Sequence, residues 1–329
     1  VLTGHQQACA NMVDAARSGH HAMILQGERG VGKATAAFHL ANMMLANDEI
    51  GSGGVIHPPD TKNSNYRQIA QNTHPNLLYL TRPIKDDGKG FKTVITVDEV
   101  RRLHRFLGMS AAAQSRRIII IDCLGDMNRN AANAILKLLE EPPSNTLFII
   151  ISHGTSGMLA TIRSRCQLIR FSPLENDEVE RVLKAIAGPI MADSDIPRLA
   201  ALSGGSVRHA LMMARSGGLE LRDTLNELLR SPHFDTGVAH KLADVAGMRG
   251  SDEHNLLLRE LVLDAVQQGG LSRVSSGNLG EAEKFSRFAA EFAERARIAD
   301  GFNLDRRQEF LVVAAQLHAL FQSVRRAVN

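Results

Sequence analysis

The run Gly27-Glu28-Arg29-Gly30-Val31-Gly32-Lys33-Ala34-Thr35 constrains this chain more than any other feature. It follows G-x-x-x-x-G-K-[ST] up to the last position, where Ala34 stands and Thr35 brings a hydroxyl one place late. The apolar segment Ala22–Gln26 before it reads as a strand, and Lys33 to about Leu45 reads as a helix. A strand, a glycine-rich turn and a helix in that order aim backbone N–H groups at a polyanion. Gly27, Gly30, Gly32, Lys33, Ala34 and Thr35 are therefore the candidate phosphate-binding residues, with Lys33 directed at the β- and γ-phosphates. A hydroxyl at position 34 would ligate Mg²⁺, and Thr35, roughly 100° further round the helix, does not substitute. Phosphate binding survives that change more easily than metal-assisted chemistry. A vestigial loop that holds no nucleotide stays open as the alternative.

The rest of the first 170 or so residues alternates short apolar runs with helical patterns, the mark of an α/β domain with a parallel sheet. Further strands are expected at Leu77–Leu80, Ile118–Asp122, Leu147–Ser152 and Gln167–Phe171. Several of these are apolar almost throughout, as strands covered on both faces must be. Thr96-Val97-Asp98-Glu99 reads as a capping box opening one helix, and another from Asn130 to Leu139 must stop at Pro142-Pro143. The polar stretch between Asn47 and Asn76 reads as an insertion or mobile loop. Lys85-Asp86-Asp87-Gly88-Lys89-Gly90 reads as a turn joining two short strands.

After Pro173 the strand signal vanishes. Helices are expected at Glu178–Ile186, Asp195–Leu202 and Ser206–Ala214, then at His254–Gln267, Ala282–Ala299 and Leu304–Val328, the last with Asn303 as its N-cap. The expected layout is an α/β domain over 1–173, a small helical lid over 174–217 and an all-helical domain over 218–329.

Composition removes several function classes. A net charge of +3 and a pI near 8.9 permit phosphate contact but fall well short of a dedicated DNA-binding domain. No apolar run is long enough to span a membrane. Cys9, Cys123 and Cys166 are too few and too scattered for a thiolate zinc site, and they fit a reducing cytoplasm. His104, His153 and His209 are read as structural rather than metal-binding. The opening residues carry no secretory signal, and a chain that starts at Val1 rather than Met is expected to lack some natural N-terminal residues.

Ile118-Ile119-Ile120-Ile121-Asp122 reads as the strand carrying a Mg²⁺-linked aspartate opposite the phosphate loop. Hydrolytic proteins of this kind need a second carboxylate next, to polarise the attacking water; here the residue is Cys123. A thiol accepts a hydrogen bond from water poorly, and Asp126 lies one turn on, past Gly125. Two independent hydrolysis elements are missing.

Asn130-Ala131-Ala132-Asn133-Ala134-Ile135-Leu136-Lys137-Leu138-Leu139-Glu140-Glu141-Pro142-Pro143 resembles the clamp-loader signature N-A-x-x-L-L-K-x-L-E-E-P-P. Ser164-Arg165-Cys166 is similar to the S-R-C motif of that AAA+ family, and Gly204 to Leu211 to its sensor-2 helix. Asp122-Cys123-Leu124-Gly125-Asp126-Met127-Asn128 resembles the D-A-A-D-x-M-N of the delta-prime branch more than the D-E of the motor subunits. Residues 46–76 take the place of the motors' four-cysteine zinc module without a cysteine, so no zinc is expected.

The resemblance implies roles. Arg165 would be an arginine finger acting in trans on ATP held by a neighbouring motor subunit, where the bland alternative is a salt-bridged arginine. Ser152 falls at the sensor-1 position or is a buried strand-end serine; Arg208 contacts nucleotide or pairs with a local carboxylate. The loop would hold ATP or ADP without hydrolysing it, and residues beyond about 220 would form the collar of a loader pentamer. Implied partners are the motor (gamma/tau) and delta subunits, with the sliding clamp and primer–template DNA reached through the assembly in the bacterial replisome. The rival is a self-sufficient AAA+ ATPase, a motor subunit or a branch-migration helicase; a sequence-specific DNA-binding protein has little support.

Overall fold

The computed structural model describes residues 2–46, 55–84, 91–92, 94–108, 116–154, 160–186, 190–248 and 252–326. Five strands, β1 (Ala22–Gln26), β2 (Leu77–Thr81), β3 (Arg117–Asp122), β4 (Thr146–Ser152) and β5 (Gln167–Arg170), form one all-parallel sheet in the order β2-β3-β4-β1-β5. Parallel pairing needs a crossover between neighbours, which forces helices onto both faces. The side chains obey this strictly. Met23 and Leu25, Ile118 and Ile120, and Ile149 and Ile151 enter one core; Ala22 and Ile24, Ile119 and Ile121, and Phe148 and Ile150 enter the other.

The first core is closed by α1 (Gln6–Arg17) and α2 (Lys33–Leu45), through Met12, Val13, Ala37 and Leu40. A short α3 (Ser64–Ala70) adds Ile69. The second core is closed by α4 (Val97–Gly108), α5 (Arg129–Glu140) and α6 (Ala160–Arg163), through Leu103, Ile135, Leu139 and Ile162. Fully burying one such aliphatic side chain is worth about 1.5–3 kcal/mol, so the two cores dominate the stability of this region.

The expected strands and helices here are found within a residue or two of their ends. The stretch read as a loop before Asn76 differs, because it contains α3. Asn63 caps that helix, its Oδ1 accepting from Asn65 N at 2.9 Å, and only Ile69 is buried. A seven-residue helix with one buried position leaves no periodic signal. The turn over 85–90 lies outside the described residues; among the described residues its flanks meet in an antiparallel bridge, Ile84 to Phe91.

Beyond β5 come α7 (Asn176–Ile186), α8 (Ile196–Leu202) and α9 (Val207–Arg215). Then follow α10 (Gly218–Arg230), α11 (Thr236–Gly247), α12 (Asp252–Ser275), α13 (Leu279–Phe302) and α14 (Arg306–Arg326). The chain divides into two compact units, 1–188 with 192–209, and 189–191 with 210–329. In the second unit the leucine stripe of α12 is resolved: Leu257 and Leu261 are fully buried, while Leu256 and Leu263 are 40% and 39% exposed. Charged pairs tie α12 to its neighbours, among them Arg222 to Asp264 at 2.6 Å and Arg259 to Asp300 through both nitrogens at 2.8 and 3.1 Å.

One expected cap is corrected. Asn303 does not start the last helix but ends α13, in a left-handed conformation at φ 51°. Asp305 caps α14 instead, its Oδ1 accepting from Gln308 N at 2.9 Å. Asparagine serves at either end, because its side chain caps N-termini and its backbone tolerates the left-handed turn of a C-terminus. Asp305→Ala should therefore cost about 1 kcal/mol in urea unfolding, whereas Asn303→Gly should stay within a few tenths or stabilise. Equal losses from both would restore Asn303 as the N-cap.

Candidate functional site

The carboxyl ends of the strands gather the predicted residues. Register sets Gln26 beside Ser152 and Thr81 beside Asp122, while Asp122 faces Ile151. The loop after β1, Asp122 at the end of β3 and Ser152 at the end of β4 thus share one edge of the sheet, where open α/β sheets bind ligands.

The loop leaves β1 at Gly27, where an added Cβ would stand 2.2 Å from Phe171 O. At Gly30, with φ +87°, a Cβ would meet Ser206 Oγ at 2.2 Å and Arg208 Cβ at 2.6 Å. Both positions therefore exclude a side chain, and Gly32 reaches φ 109° as the N-cap of α2. Lys33 is only 3% exposed. Its Nζ donates to Gly27 O at 2.7 Å and to Glu28 O. Burial pulls its pKa down to about 8, and Asp122 is the leading influence opposing that fall.

This geometry suits phosphate. The loop is wrapped about the ammonium, and its two carbonyl bonds are ones that phosphate oxygens can replace. It does not suit a divalent cation equally. Position 34 offers a methyl group that packs against the core, and Thr35 follows it into the helix. Asp122 Oδ2 accepts from Tyr79 Oη at 2.9 Å, which occupies one of its two oxygens. Cys123 is buried in the core on the α2 side, and burial raises its thiol pKa, so it supplies neither a carboxylate nor a ready thiolate. Asp126 pairs with Arg82 at 3.1 Å. Among the described residues, no group of three or more His, Cys, Asp and Glu is placed to hold a metal ion.

Ser152 is buried and donates to Gly154 O at 3.0 Å, the same carbonyl that Gln26 reaches at 3.1 Å. Arg208 is exposed at the start of α9, its Cβ against Gly30. Arg165 bonds to a different set of residues. Its Nη2 pairs with Glu140 Oε1 at 2.8 Å, and its Nη1 donates to Thr161 O at 2.8 Å. The Arg165 side chain is 35% exposed.

Four further side chains belong to this edge, and three of them, Tyr79, His153 and His5, leave no site signal in the sequence. Tyr79 holds Asp122. His153 Nε2 lies 3.9 Å from Asp122 Oδ1, and burial, aided by Lys33, lowers its pKa to about 4, so it is neutral near pH 7. His5 Nε2 donates to Val31 O at 2.7 Å, laying the N-terminal segment along the loop. Ser206 Oγ donates to Arg29 O at 2.9 Å and accepts from His209 N at 3.2 Å, so one hydroxyl caps α9 and ties it to the loop. Only Ser206 could have been found, as a serine before a helical run.

Comparison with known proteins agrees in kind. The chain is 32% identical over 217 residues to the DNA polymerase III subunit delta' of Pseudomonas aeruginosa, covering 66% of this chain and 62% of that protein. It is 30% identical over 197 residues to the delta' subunit of Bacillus subtilis, covering 60% and 54%. The alignments thus span less than two thirds of either relative's length. Among solved structures, a gamma subunit-related protein of DNA polymerase III from Thermotoga maritima superposes with a TM-score of 0.47 at 16% identity, over 97% of this chain and all of that one. The family model described as "DNA polymerase III, delta subunit" matches residues 4–175, more than half of the chain. On that match, the chain belongs to the DNA polymerase III, delta subunit family.

Proposed function

We propose that this chain is a non-motor scaffold of a bacterial clamp loader, acting in the manner of a delta-prime subunit. Its own phosphate cradle binds ATP or ADP without hydrolysis, and Arg165 serves the ATP site of an adjacent motor (gamma/tau) subunit. Residues 174–217 act as the lid and 218–329 as the collar of the assembly. With the delta subunit it helps to load the sliding clamp onto primer–template DNA in the cytoplasm. The reading rests above all on one contrast: the hydrolytic positions beside Lys33 are Ala34 and a core-buried Cys123, while Arg165 keeps a partly exposed side chain.

Within such a cradle Gly27, Gly30 and Gly32 give the backbone room to approach phosphate, and the Lys33 ammonium neutralises it. Bound nucleotide supplies polyanionic charge that orders the loop and the residues resting on it, Ser206 and Arg208. Ser152, beside Gly154, would report the γ-phosphate position through the end of β4. A guanidinium offered in trans stabilises charge developing on the transferred phosphoryl group and needs no proton transfer from this chain.

Three outcomes test this. The protein alone should turn over ATP at background only; Mg²⁺-dependent turnover that Lys33→Ala abolishes would establish the rival ATPase. The protein should co-purify with motor subunits. If the motors' own S-R-C arginines are changed to alanine, Arg165→Ala should slow the remaining hydrolysis by about a thousandfold or more. An unchanged rate sinks the trans role.

Nucleotide binding should also depend on pH. Lys33 in the free protein loses its proton near pH 8. A bound polyanion favours the charged ammonium, so its pKa is higher in the complex. Affinity for ADP is therefore full below that pH and falls as pH rises through it, by roughly tenfold between about pH 7.5 and 9.5. Isothermal titration should show this slope, and Lys33→Ala should bind weakly with none.

A further inference from the structure

The first glutamate of the Glu140-Glu141-Pro142-Pro143 run has no part in the function above, yet it holds the residue on which that function turns. We propose that Glu140 is the positioning residue for Arg165, fixing the direction of the guanidinium before a neighbouring phosphate arrives. The proposal rests on the trans-arginine reading and deepens it.

The backbone of Arg165 is already pinned. Its N donates to Ile162 O at 3.1 Å, and Cys166 N donates to Arg163 O at 3.4 Å. Ile162, fully buried, and Cys166, partly buried, pack into the core shared with α5. What remains free is the long side chain, whose rotamer entropy is among the largest of any residue. Two contacts hold its Nη1, to Thr161 O at 2.8 Å and to Ser164 Oγ at 3.3 Å. Ser164 is itself held, donating to Thr161 O at 3.0 Å. Among the described residues, Glu140 is the one that holds Nη2, at 2.8 Å. A guanidinium carries five N–H donors, so among the described residues these contacts leave Nε and one Nη2 hydrogen for an incoming oxyanion.

Glu140 is held in place from its own side. It is the last residue of α5, and Pro142 and Pro143 stop the helix from running on. The carboxyl end of α5 also carries the negative pole of its dipole, which favours the nearby cation. The pair contributes little to folding, because its side chains are 35% and 49% exposed. Its consequence lies in the orientation of Arg165.

The test uses the loader reconstituted with motor subunits whose own S-R-C arginines are alanine. Glu140→Ala should melt like the parent protein, leave the KM for ATP unchanged, and lower kcat by roughly two- to fivefold, the scale of an exposed ion pair. Glu140→Gln, which keeps an acceptor without the charge, should recover part of the loss. In the Arg165→Ala background, Glu140→Ala should have no further effect. A parental or raised kcat in Glu140→Ala, or an additive loss in the double variant, overturns the positioning role while leaving the arginine's trans role intact. An unchanged rate in Arg165→Ala overturns both.

Discussion

Burial of the parallel sheet on both faces is the constraint from which the rest follows. Alternate residues of β1, β3 and β4 enter two separate cores, so neither face can accept a polar ligand. Chemistry is confined to the ends of the strands. At the carboxyl ends the chain must turn into a helix or a loop, and there Gly27–Thr35, Asp122 and Ser152 come within reach of one another. The glycines do not make this site alone. They permit a close approach that the cores on either side have already fixed.

Electrostatics at that edge explain how the loop keeps a charged lysine buried inside it. A buried Lys33 is costly, and the cost appears as a pKa drawn down to about 8. Two loop carbonyls and the charge of Asp122 hold the proton in place. Asp122 is in turn held by Tyr79, so it serves as a fixed countercharge to the lysine more readily than as a metal ligand. His153, neutral beside it, adds no charge of its own. The arrangement keeps the loop folded around its lysine, while the residue after Asp122, Cys123, turns its thiol into the core.

The sheet and its helices were legible because long apolar runs such as Ile118–Ile121 leave little choice of structure. The glycine loop was legible because few sequences put Gly27, Gly30, Gly32 and Lys33 between a strand and a helix. What escaped was of two kinds. Short or ambiguous punctuation misled: α3 buries one residue, and Asn303 suits either end of a helix. Long-range pairings were invisible in principle, since Tyr79 lies 43 residues from Asp122 and Ser206 lies 177 from Arg29. No periodicity encodes such pairs; they exist only once the sheet order is set.

The same reasoning separates the two arginines. Arg208 stands on the chain's own loop, its Cβ against Gly30, so its position is tied to that of the loop. Arg165 is tied to Glu140, Thr161 and Ser164, by contacts that involve no residue of the loop. Its geometry is therefore independent of whether the cradle is filled. The proposed trans role needs that independence, because an arginine coupled to the chain's own loop would follow whatever that loop holds. Ala34 and Cys123 pack against the core on the α2 side, and Arg165 is braced by Glu140, so the proposed loss of hydrolysis and the proposed finger answer to different parts of the fold.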